Sequence, residues 1–528
     1  MAKRPKPKKQ LPQELNAQQA LAAAQNSLNG GDYRMCAALM IQFVKAAPHF
    51  APGHLALGLA FNRLERWPEA VERLSEAEEL MRSPDQPEAP TPQVEMGRKF
   101  NEFMVATELS RALIHTGDLA RAGEVLAGAV PVTDNSRTLD AHKARLELAR
   151  GNAAGAAEAI RPLLSEGETD IEVAMVAAEI ALAAPEAMGA GEVADHLVAS
   201  SKRVGLPAGI LISLLHATAD VCDACGRHED AFSAWRRAAG LPKVQFKQRA
   251  YMAEVVATMR GWTTETYSRV MRAESEDATP VLVVGMPGRG LDSVARLIAS
   301  HPGAATAGAT GFLAETAQYR FGAPAGANFA VLRKPGTVRA TETAEAGERY
   351  TKSLRRRAGA PDADRVVDQN AVNTIQLGML ALMNPKAHVV YVKDDPFDSC
   401  FEAWSSSSAY EHPFVAEPVS LALYWRGETN LANHWAEVFA SDAGRQPWFE
   451  LDLRRLRESP EETARALFMF LGLEWNDQVR DAAQEAAKTR RPDAKVYRPM
   501  LKTLADSIER ATIASEQPEP GEVGAETE

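Results

Sequence analysis

The residues best suited to chemistry in this sequence belong to a strand, a glycine-rich turn and a helix in the second half. The run 281–284 is apolar and β-branched, the turn from Gly285 to Gly290 follows it, and 293–300 has a helical pattern. Backbone N–H groups in such a turn, together with the N-terminus of the next helix, face an anion. The sequence therefore predicts a P-loop-like unit that binds phosphate.

A loop for nucleoside triphosphates is one alternative, because Gly285 and Gly290 have the four-residue gap of that motif. The motif continues with Lys and then Ser or Thr, whereas this chain has Leu291 and Asp292. Without the Lys there is no contact to the γ-phosphate, and without the hydroxyl there is no Mg²⁺ ligand. The pattern excludes this class.

Further motifs follow in order along the second half. They are Gly285-Met286-Pro287 with Gly290, then Ser300-His301-Pro302, 365–373, 389–400 and 468–475. The ordered series resembles the bacterial family that joins tetratricopeptide repeats to a sulfotransferase domain. The resemblance implies transfer of a sulfuryl group from 3′-phosphoadenosine 5′-phosphosulfate (PAPS) to a hydroxyl or an amine.

The donor-binding positions that the resemblance implies are substituted in several places. They fall on Gly285, Pro287, Gly288, Arg289, Gly290, Lys393, Asp394 and Glu402. The loop has Gly288 and Arg289 where the family has Arg and Ser. The arginine and serine that hold the 3′-phosphate fall on Asp394 and Glu402. Two carboxylates there would repel a dianion, since like charges about 4 Å apart repel by roughly 4 kcal/mol at an effective dielectric of 20.

The two catalytic positions implied by the resemblance also lack the expected chemistry. The family's glutamate falls on Ala309 and its lysine on Gln369, so the catalytic residues of this chain are unknown. The scaffold motifs persist while the residues for chemistry do not. We therefore expect a degenerate sulfotransferase-family protein that needs no cofactor and acts by binding a protein partner.

Two alternatives stay open. The first is an active PAPS-dependent sulfotransferase, in which Arg289 and Lys393 hold PAPS or its product 3′-phosphoadenosine 5′-phosphate (PAP). Glu315 or His301 would then act as the base. The second is a transferase or hydrolase activity with a different donor, in which the acidic residues of the pocket hold a cation; these are Asp292, Asp394, Asp395 and Glu402. As ordinary turn and helix-surface carboxylates these residues would bind no metal, and we expect none.

The first half shows a repeat of 34 residues, because Trp67 follows Tyr33, and Gly151 follows Gly117, by that number. This resembles the tetratricopeptide repeat, a helix–turn–helix in which glycine takes a positive φ after the first helix. The gap of 75 residues from Gly151 to Gly226 makes one unit irregular. The resemblance implies a concave groove for a protein or peptide partner.

The composition is that of an ordinary soluble protein of 528 residues, with 45% hydrophobic and 24% charged residues. A net charge of −11 argues against a nucleic-acid binder, and four Cys exclude a disulfide scaffold. No stretch has the roughly 18 apolar residues of a membrane span. The start has no apolar segment of a secretory signal, so we expect a cytoplasmic protein.

The expected fold class is α plus α/β, with a TPR-like α-solenoid followed by a P-loop-like α/β sulfotransferase domain with a parallel sheet. The expected segments are a basic tail at 1–14, helical repeats at 15–245, a linker helix at 246–273, the α/β domain at 274–513 and an acidic tail at 514–528. Both tails are expected to be disordered because they contain few apolar residues.

Overall fold

The computed structural model divides into two compact units, unit 1 at Met1–Leu241 and unit 2 at Pro242–Glu528. The described residues are 17–83, 91–132, 136–165, 170–241, 244–270, 272–321, 340–406, 412–441, 446–489 and 491–516. The tail expected at 1–14, and 517–528 of the acidic tail, lie outside them. Among the described helices none is long and apolar enough to cross a bilayer.

Unit 1 is helical. Its helices are α1 (Ala17–Gly30), α2 (Tyr33–Ala46), α3 (Ala51–Arg63), α4 (Trp67–Arg82), α5 (Pro92–Thr116), α6 (Leu119–Gly128), α7 (Ser136–Ala149), α8 (Ala153–Ser165), α9 (Ile171–Ala183), α10 (Ala190–Ser201), α11 (Ala208–Ala224) and α12 (His228–Gly240). Within the described residues they form six consecutive pairs, and the two helices of each pair pack against each other.

Four of the pairs turn at a glycine in the left-handed region, where a Cβ is disfavoured. These glycines are Gly31, Gly117, Gly151 and Gly226, with φ between 78° and 86°. The pair of α3 and α4 turns instead at Glu65, with φ 54°. The link 184–189 between α9 and α10, which is fully described, has no residue of positive φ. It lies between Gly151 and Gly226, where the spacing predicts an irregular unit. The turn conformation expected of the four glycines is confirmed.

The first helices of successive pairs pack side by side, and the last of them also packs against the first. Each of α1, α3, α5, α7, α9 and α11 contacts the next, and α11 also contacts α1. At that last contact a Cβ on Gly209 would lie 2.6 Å from Tyr33 Oη and 2.9 Å from the Leu28 carbonyl oxygen. Glycine therefore permits the approach that closes this circuit of helices within the described part of unit 1, an addition to the expected solenoid.

A charged network joins four of these helices. Its members are Arg63, Glu108, Arg111, Arg145, Glu172 and Glu179. Arg145 of α7 contacts Glu172 and Glu179 of α9 at 2.7 and 2.6 Å. Burial alone would raise the pKa of Glu108, but Arg63 and Arg111 lower it to about 2. Three arginines and three glutamates thus neutralise one another along the first helices.

Unit 2 combines helices with a sheet. Its strands are β1 (Pro280–Gly285), β2 (Ala304–Thr306), β3 (Arg365–Gln369), β4 (His388–Lys393) and β5 (Trp448–Asp452). Its α-helices are α13 (Gln248–Gly261), α14 (Thr264–Arg269), α15 (Arg289–Ala299), α16 (Phe312–Phe321), α17 (Ala340–Ala358), α18 (Leu377–Met383), α19 (Pro396–Ser406), α20 (Pro418–Ala440), α21 (Leu453–Glu458), α22 (Pro460–Leu471), α23 (Asp477–Lys488), α24 (Ala494–Tyr497) and α25 (Lys502–Glu516). Short 3₁₀ segments lie at Ala371–Gln376, Pro413–Ala416 and Arg498–Leu501.

The described strands form one sheet in the order β2–β3–β1–β4–β5, and every neighbouring pair is parallel. Val281 and Val283 of β1 pack in one buried cluster with α15 and α22. Leu282 and Val284 pack in the other cluster with α18 and α20. Helices thus cover both faces, which explains the continuous apolar run of β1. The prediction of a helical half followed by a parallel α/β half is confirmed.

The segment 246–273, expected as a linker helix, forms α13 and α14. Its Val255, Trp262 and Tyr267 are buried in the same cluster as Leu282 of β1. These side chains contribute to the core of unit 2, so the segment packs as part of that unit.

Candidate anion-binding site

The candidate site lies at the carboxyl edge of the sheet, beside β1, where the strand order reverses. Sheets of this kind bind ligands at that place. Gly285 ends β1 at φ 146°, and a Cβ there would lie 2.5 Å from the Val392 carbonyl oxygen of β4. The turn that follows leads into α15, whose first N–H groups have no partner within the helix. The predicted strand, turn and helix are therefore present; we call the turn and the first turn of α15 the anion cradle, after the binding role that the sequence predicts.

A carboxylate of the protein itself lies at the start of α15. The backbone N–H of Gly290 donates to Glu402 Oε1 at 2.7 Å. Glu402 comes from α19 and is only 9% exposed. A Cβ on Gly288 would lie 2.7 Å from Glu402 Cγ, so the turn fits closely around this side chain. Glu402 therefore takes an N–H group that the cradle would offer to an anion.

Two arginines from the end of unit 2 neutralise the carboxylates. Arg457 of α21 donates to both oxygens of Asp394, at 3.0 and 3.1 Å. Arg491, between α23 and α24, lies 3.2 Å from Asp394 Oδ2 and 3.0 Å from Glu402 Oε2. Gly290 makes room for it, since a Cβ there would lie 2.3 Å from Arg491 Nη2. Asp394, Glu402, Arg457 and Arg491 form one group, which we call the ionic cluster.

Three other residues singled out in the sequence, Lys393, Gln369 and Arg289, are not members of the ionic cluster. Lys393, the last residue of β4, is half exposed and pairs with Glu450 of β5. The amide of Gln369, at the end of β3, donates to Asp292 Oδ1 of α15 at 2.7 Å. Arg289 begins α15 and is half-buried. Of the two basic positions that the sequence offered, only Arg289 stays at the turn.

The positions expected to be catalytic meet after β2 and β3. The Gln369 N–H donates to the Gly308 carbonyl oxygen at 3.2 Å, which places Ala309 next to this contact. Ala309 is exposed and has no group that exchanges a proton. The two positions therefore lie close together, but they carry no acid, base or cation.

The buried carboxyl group of Asp368 holds the loop 307–310. Tyr350 Oη and Thr310 Oγ1 donate to Asp368 Oδ2 at 2.7 and 2.9 Å. Burial raises the pKa of Asp368 to about 6, although these hydrogen bonds lower it. With no exposed surface and two donors on one oxygen, Asp368 anchors the loop 307–310 to β3.

Of the two alternative bases, His301 lies away from the turn. His301 follows the far end of α15, where its Nδ1 accepts the Gly303 N–H at 2.9 Å. The 11 residues of α15 separate it from the turn by about 16 Å, at about 1.5 Å per residue. Glu315 is exposed in the first turn of α16. This distance excludes His301 as the base, and its contact shows that it ends the helix instead.

The acidic residues do not converge as a cation site. Among the described residues there is no group of three or more His, Cys, Asp or Glu side chains that could hold a metal ion. Asp395 caps α19, since its Oδ1 accepts the Phe397 N–H at 2.9 Å. Burial and the neighbours Asp395 and Asp394 raise the pKa of the nearby Asp398 to about 6. Arginines and backbone N–H groups thus hold these carboxylates.

A pocket of about 270 Å³ lies over the turn, with Pro287, Gly288, Asp394 and Glu402 in its wall. That volume includes open solvent, and the space open to the centre of a water molecule is only about 20 Å³, enough for about one water. Two carboxylates in the wall, and an N–H group already bonded, do not fit a donor that carries a dianionic phosphate at this place.

Arg457 and Arg491 were not predicted from the sequence. They lie in the arginine-rich stretches 454–457 and 490–491, outside all the motifs on which the resemblance rests. The available signal was charge compensation, because buried carboxylates at Asp394 and Glu402 require cations nearby.

The comparison with family models bears on unit 2. Residues 280–477 match the family described as "Sulfotransferase family". An "Uncharacterized protein" of Aquifex aeolicus (strain VF5) is 26% identical over 306 residues, which are 54% of this chain and 37% of that protein. The crystal structure of sulfotransferase STF1 from Mycobacterium tuberculosis H37Rv matches 60% of this chain and 97% of its own with 16% identity, but its TM-score of 0.26 is too low to carry an argument. The C-terminal half of the chain thus contains a domain that matches the sulfotransferase family.

Proposed function

We propose that this protein is a degenerate member of the sulfotransferase family, which has lost sulfuryl transfer and acts by binding a protein partner. The ionic cluster is the observation that carries the proposal. Asp394 and Glu402 occupy the positions where the family holds the 3′-phosphate, and they engage Arg457 and Arg491. The strand, turn and helix of the fold are kept, but the Gly290 N–H and Arg491 bind a side chain of the protein itself, Glu402.

The charge balance of the cluster disfavours a doubly phosphorylated donor. Two arginines face two carboxylates, so PAPS would meet no net positive charge there. Like charges about 4 Å apart repel by roughly 4 kcal/mol at an effective dielectric of 20. Micromolar binding corresponds to only about 8 kcal/mol. A repulsion of this size from each carboxylate offsets the attraction of one arginine, so the cluster would supply little of that free energy, and we propose that the protein uses no PAPS or PAP.

The catalytic positions support the same proposal. An acceptor hydroxyl needs a base to take its proton, and Ala309 offers none. The leaving phosphate needs a cation, whereas Gln369 offers an amide that is bonded to Asp292. Both demands of an in-line transfer are unmet at the positions that the resemblance assigns.

Partner binding is assigned to unit 1, in the groove that the repeat resemblance implies. The first helices carry the charged network, in which the side chain of Glu179 is 41% exposed, and a partner that reached it would compete with the ion pair to Arg145. A second surface is apolar: Val94, Met96 and Phe100 on the first turns of α5 are 45–54% exposed. These turns are the alternative place for a protein partner.

Two substitutions distinguish these surfaces. Glu179→Lys alters the exposed end of the charged network, and Phe100→Glu alters α5. Cross-linked partners identified with the wild-type chain should be lost with one substitution and kept with the other. A partner that both variants retain would contradict binding through unit 1.

An active sulfotransferase is the second candidate, favoured by the two guanidinium groups at the sheet edge. If Asp394 and Glu402 moved away, Arg457 and Arg491 would face a phosphate, with Arg289 at the turn. An assay with sulfuryl-labelled PAPS and mixed phenol, sugar and tyrosine-peptide acceptors separates the candidates. We expect no transfer above the protein-free rate. Transfer that Arg491→Met abolishes and Arg454→Met preserves would contradict the proposed function.

A further inference from the structure

We propose that Glu402 is a built-in ligand of the anion cradle, and that removing its carboxylate turns the cradle into a site for a tetrahedral oxyanion. The inference rests on the proposed function, because a cradle that holds its own carboxylate has no use for a donor. It concerns the regulation of that same site by a side chain of the protein itself.

The contacts of Glu402 are those that a bound oxyanion would make. Oε1 accepts the Gly290 N–H at the start of α15, at 2.7 Å. Oε2 lies 3.0 Å from Arg491 Nη1. One oxygen thus meets the helix N-terminus and the other meets a guanidinium, which are the two kinds of donor that bind phosphate and sulfate.

The surrounding backbone is shaped for this carboxylate. A Cβ on Gly288 would lie 2.7 Å from Glu402 Cγ and 3.0 Å from its Cδ and Oε1. The neighbours of Glu402 on α19, Phe401 and Ala403, are both buried. The helix therefore holds the carboxylate over the turn, and the turn has no side chain at the point of closest approach.

Truncation of this side chain leaves an N–H group, a cation and a space of about the size of a carboxylate. Arg491 keeps its contact with Asp394 at 3.2 Å, so the exposed cradle would be only weakly cationic. Inorganic phosphate and sulfate have the right charge and oxygen geometry, and neither needs the space of a nucleotide. We expect weak, specific binding of these ions to the variant.

The test compares full-length wild type, Glu402→Ala and Glu437→Ala in thermal unfolding and calorimetry with sodium phosphate, sodium sulfate or sodium chloride at equal ionic strength. Glu437 is an exposed residue of α20 and serves as the matched control. With phosphate at about ten times its dissociation constant, the melting midpoint of Glu402→Ala should rise by about 2–4 °C relative to chloride. Wild type and Glu437→Ala should show no such difference.

A second variant guards against simple loss of folding. Glu402→Gln keeps the volume and an oxygen that can accept the Gly290 N–H, so it should fold without phosphate and bind none. If Glu402→Ala melts early, phosphate should restore part of the loss and chloride should not. Equal responses to phosphate and chloride in Glu402→Ala, or a phosphate effect in wild type, would overturn the inference.

The two proposals fail separately. Binding of PAP by the wild-type chain would refute the loss of the donor site. Absence of phosphate binding in Glu402→Ala, with no PAP binding in wild type, would refute only the role of Glu402 as a built-in ligand.

Discussion

Glu402 Oε1 accepts the backbone N–H of Gly290 at 2.7 Å, although the two residues are 112 positions apart. The contact joins α19 to the first turn of α15 at the edge of the sheet where ligands of this architecture bind. Glu402 thus brings a carboxylate to the turn at a position where the resemblance implies a serine.

Arg491 should matter more for stability than an exposed arginine of the same region. Arg491→Met would leave the carboxylates of Asp394 and Glu402 with less compensation, although both are nearly buried. We expect the free energy of unfolding to fall by about 2 kcal/mol or more. Urea denaturation measures this. Arg454→Met, which breaks an exposed pair with Asp452, should leave the midpoint close to wild type.

Gly290→Ala tests how closely Arg491 covers the turn. The added Cβ would lie 2.3 Å from Arg491 Nη2 and 2.5 Å from Leu453 Cδ1, so the arginine must leave the ionic cluster. We expect a loss of about 1–3 kcal/mol in thermal or urea unfolding. Gly311→Ala, where the nearest atom is 3.5 Å away, is the control and should change stability by less than about 0.5 kcal/mol. Equal effects of both would contradict the described packing.

The strand, turn and helix around Gly285 could be predicted because their signals are local. An apolar run, a cluster of glycines and a helical pattern follow one another within a short stretch of sequence. Asp394 and Glu402 were singled out through their order along the chain, and their role as donor positions stays a prediction. Arg457 and Arg491 could not, because charge pairing across elements leaves no periodic pattern in the sequence. The same holds for Lys393, whose pairing with Glu450 depends on the register of β4 and β5.

Glu428 should make the stability of unit 2 depend on pH. Burial raises the pKa of Glu428 to about 8, and the hydrogen bond from Thr374 only partly offsets this. The folded chain therefore keeps a proton that the unfolded chain has released, so stability falls as pH rises from about 4.5 to about 8, by at most about 1.4 kcal/mol per unit.

Glu428→Gln should remove this part of the pH dependence. Thermal unfolding of wild type and variant between pH 5 and pH 9 measures the difference, which also cancels the smaller contribution of Asp368. We expect similar midpoints at pH 5 and a higher midpoint for the variant at pH 9. Parallel curves over the whole range would contradict a protonated Glu428 in the folded chain.

Arg145 should be essential for the packing of unit 1. It is 4% exposed and compensates both Glu172 and Glu179 of α9. Arg145→Met would leave two carboxylates against a buried methionine, and we expect a loss of about 3–5 kcal/mol in urea denaturation. Arg161→Met, which removes an exposed pair with Glu192, is the control and should have little effect.

The helix pairs of unit 1 follow from spacing and glycines, but the closed circuit of first helices does not. The contact of α11 with α1 brings Gly209 against Leu28, far apart in the sequence. Repeat spacing describes how each pair packs on the next, and it contains no information on how the curvature accumulates. The charged network was likewise unpredictable, since each arginine and glutamate alone resembles a solvated helix residue.

The most direct test of the central claim is calorimetric titration of the wild-type chain with PAP, with adenosine 5′-phosphate as control. Because Asp394 and Glu402 already occupy the arginines and the turn, we predict no saturable binding of either nucleotide up to millimolar concentration. Saturable micromolar binding that requires the 3′-phosphate would contradict the account, and would show that the carboxylates give way to a donor.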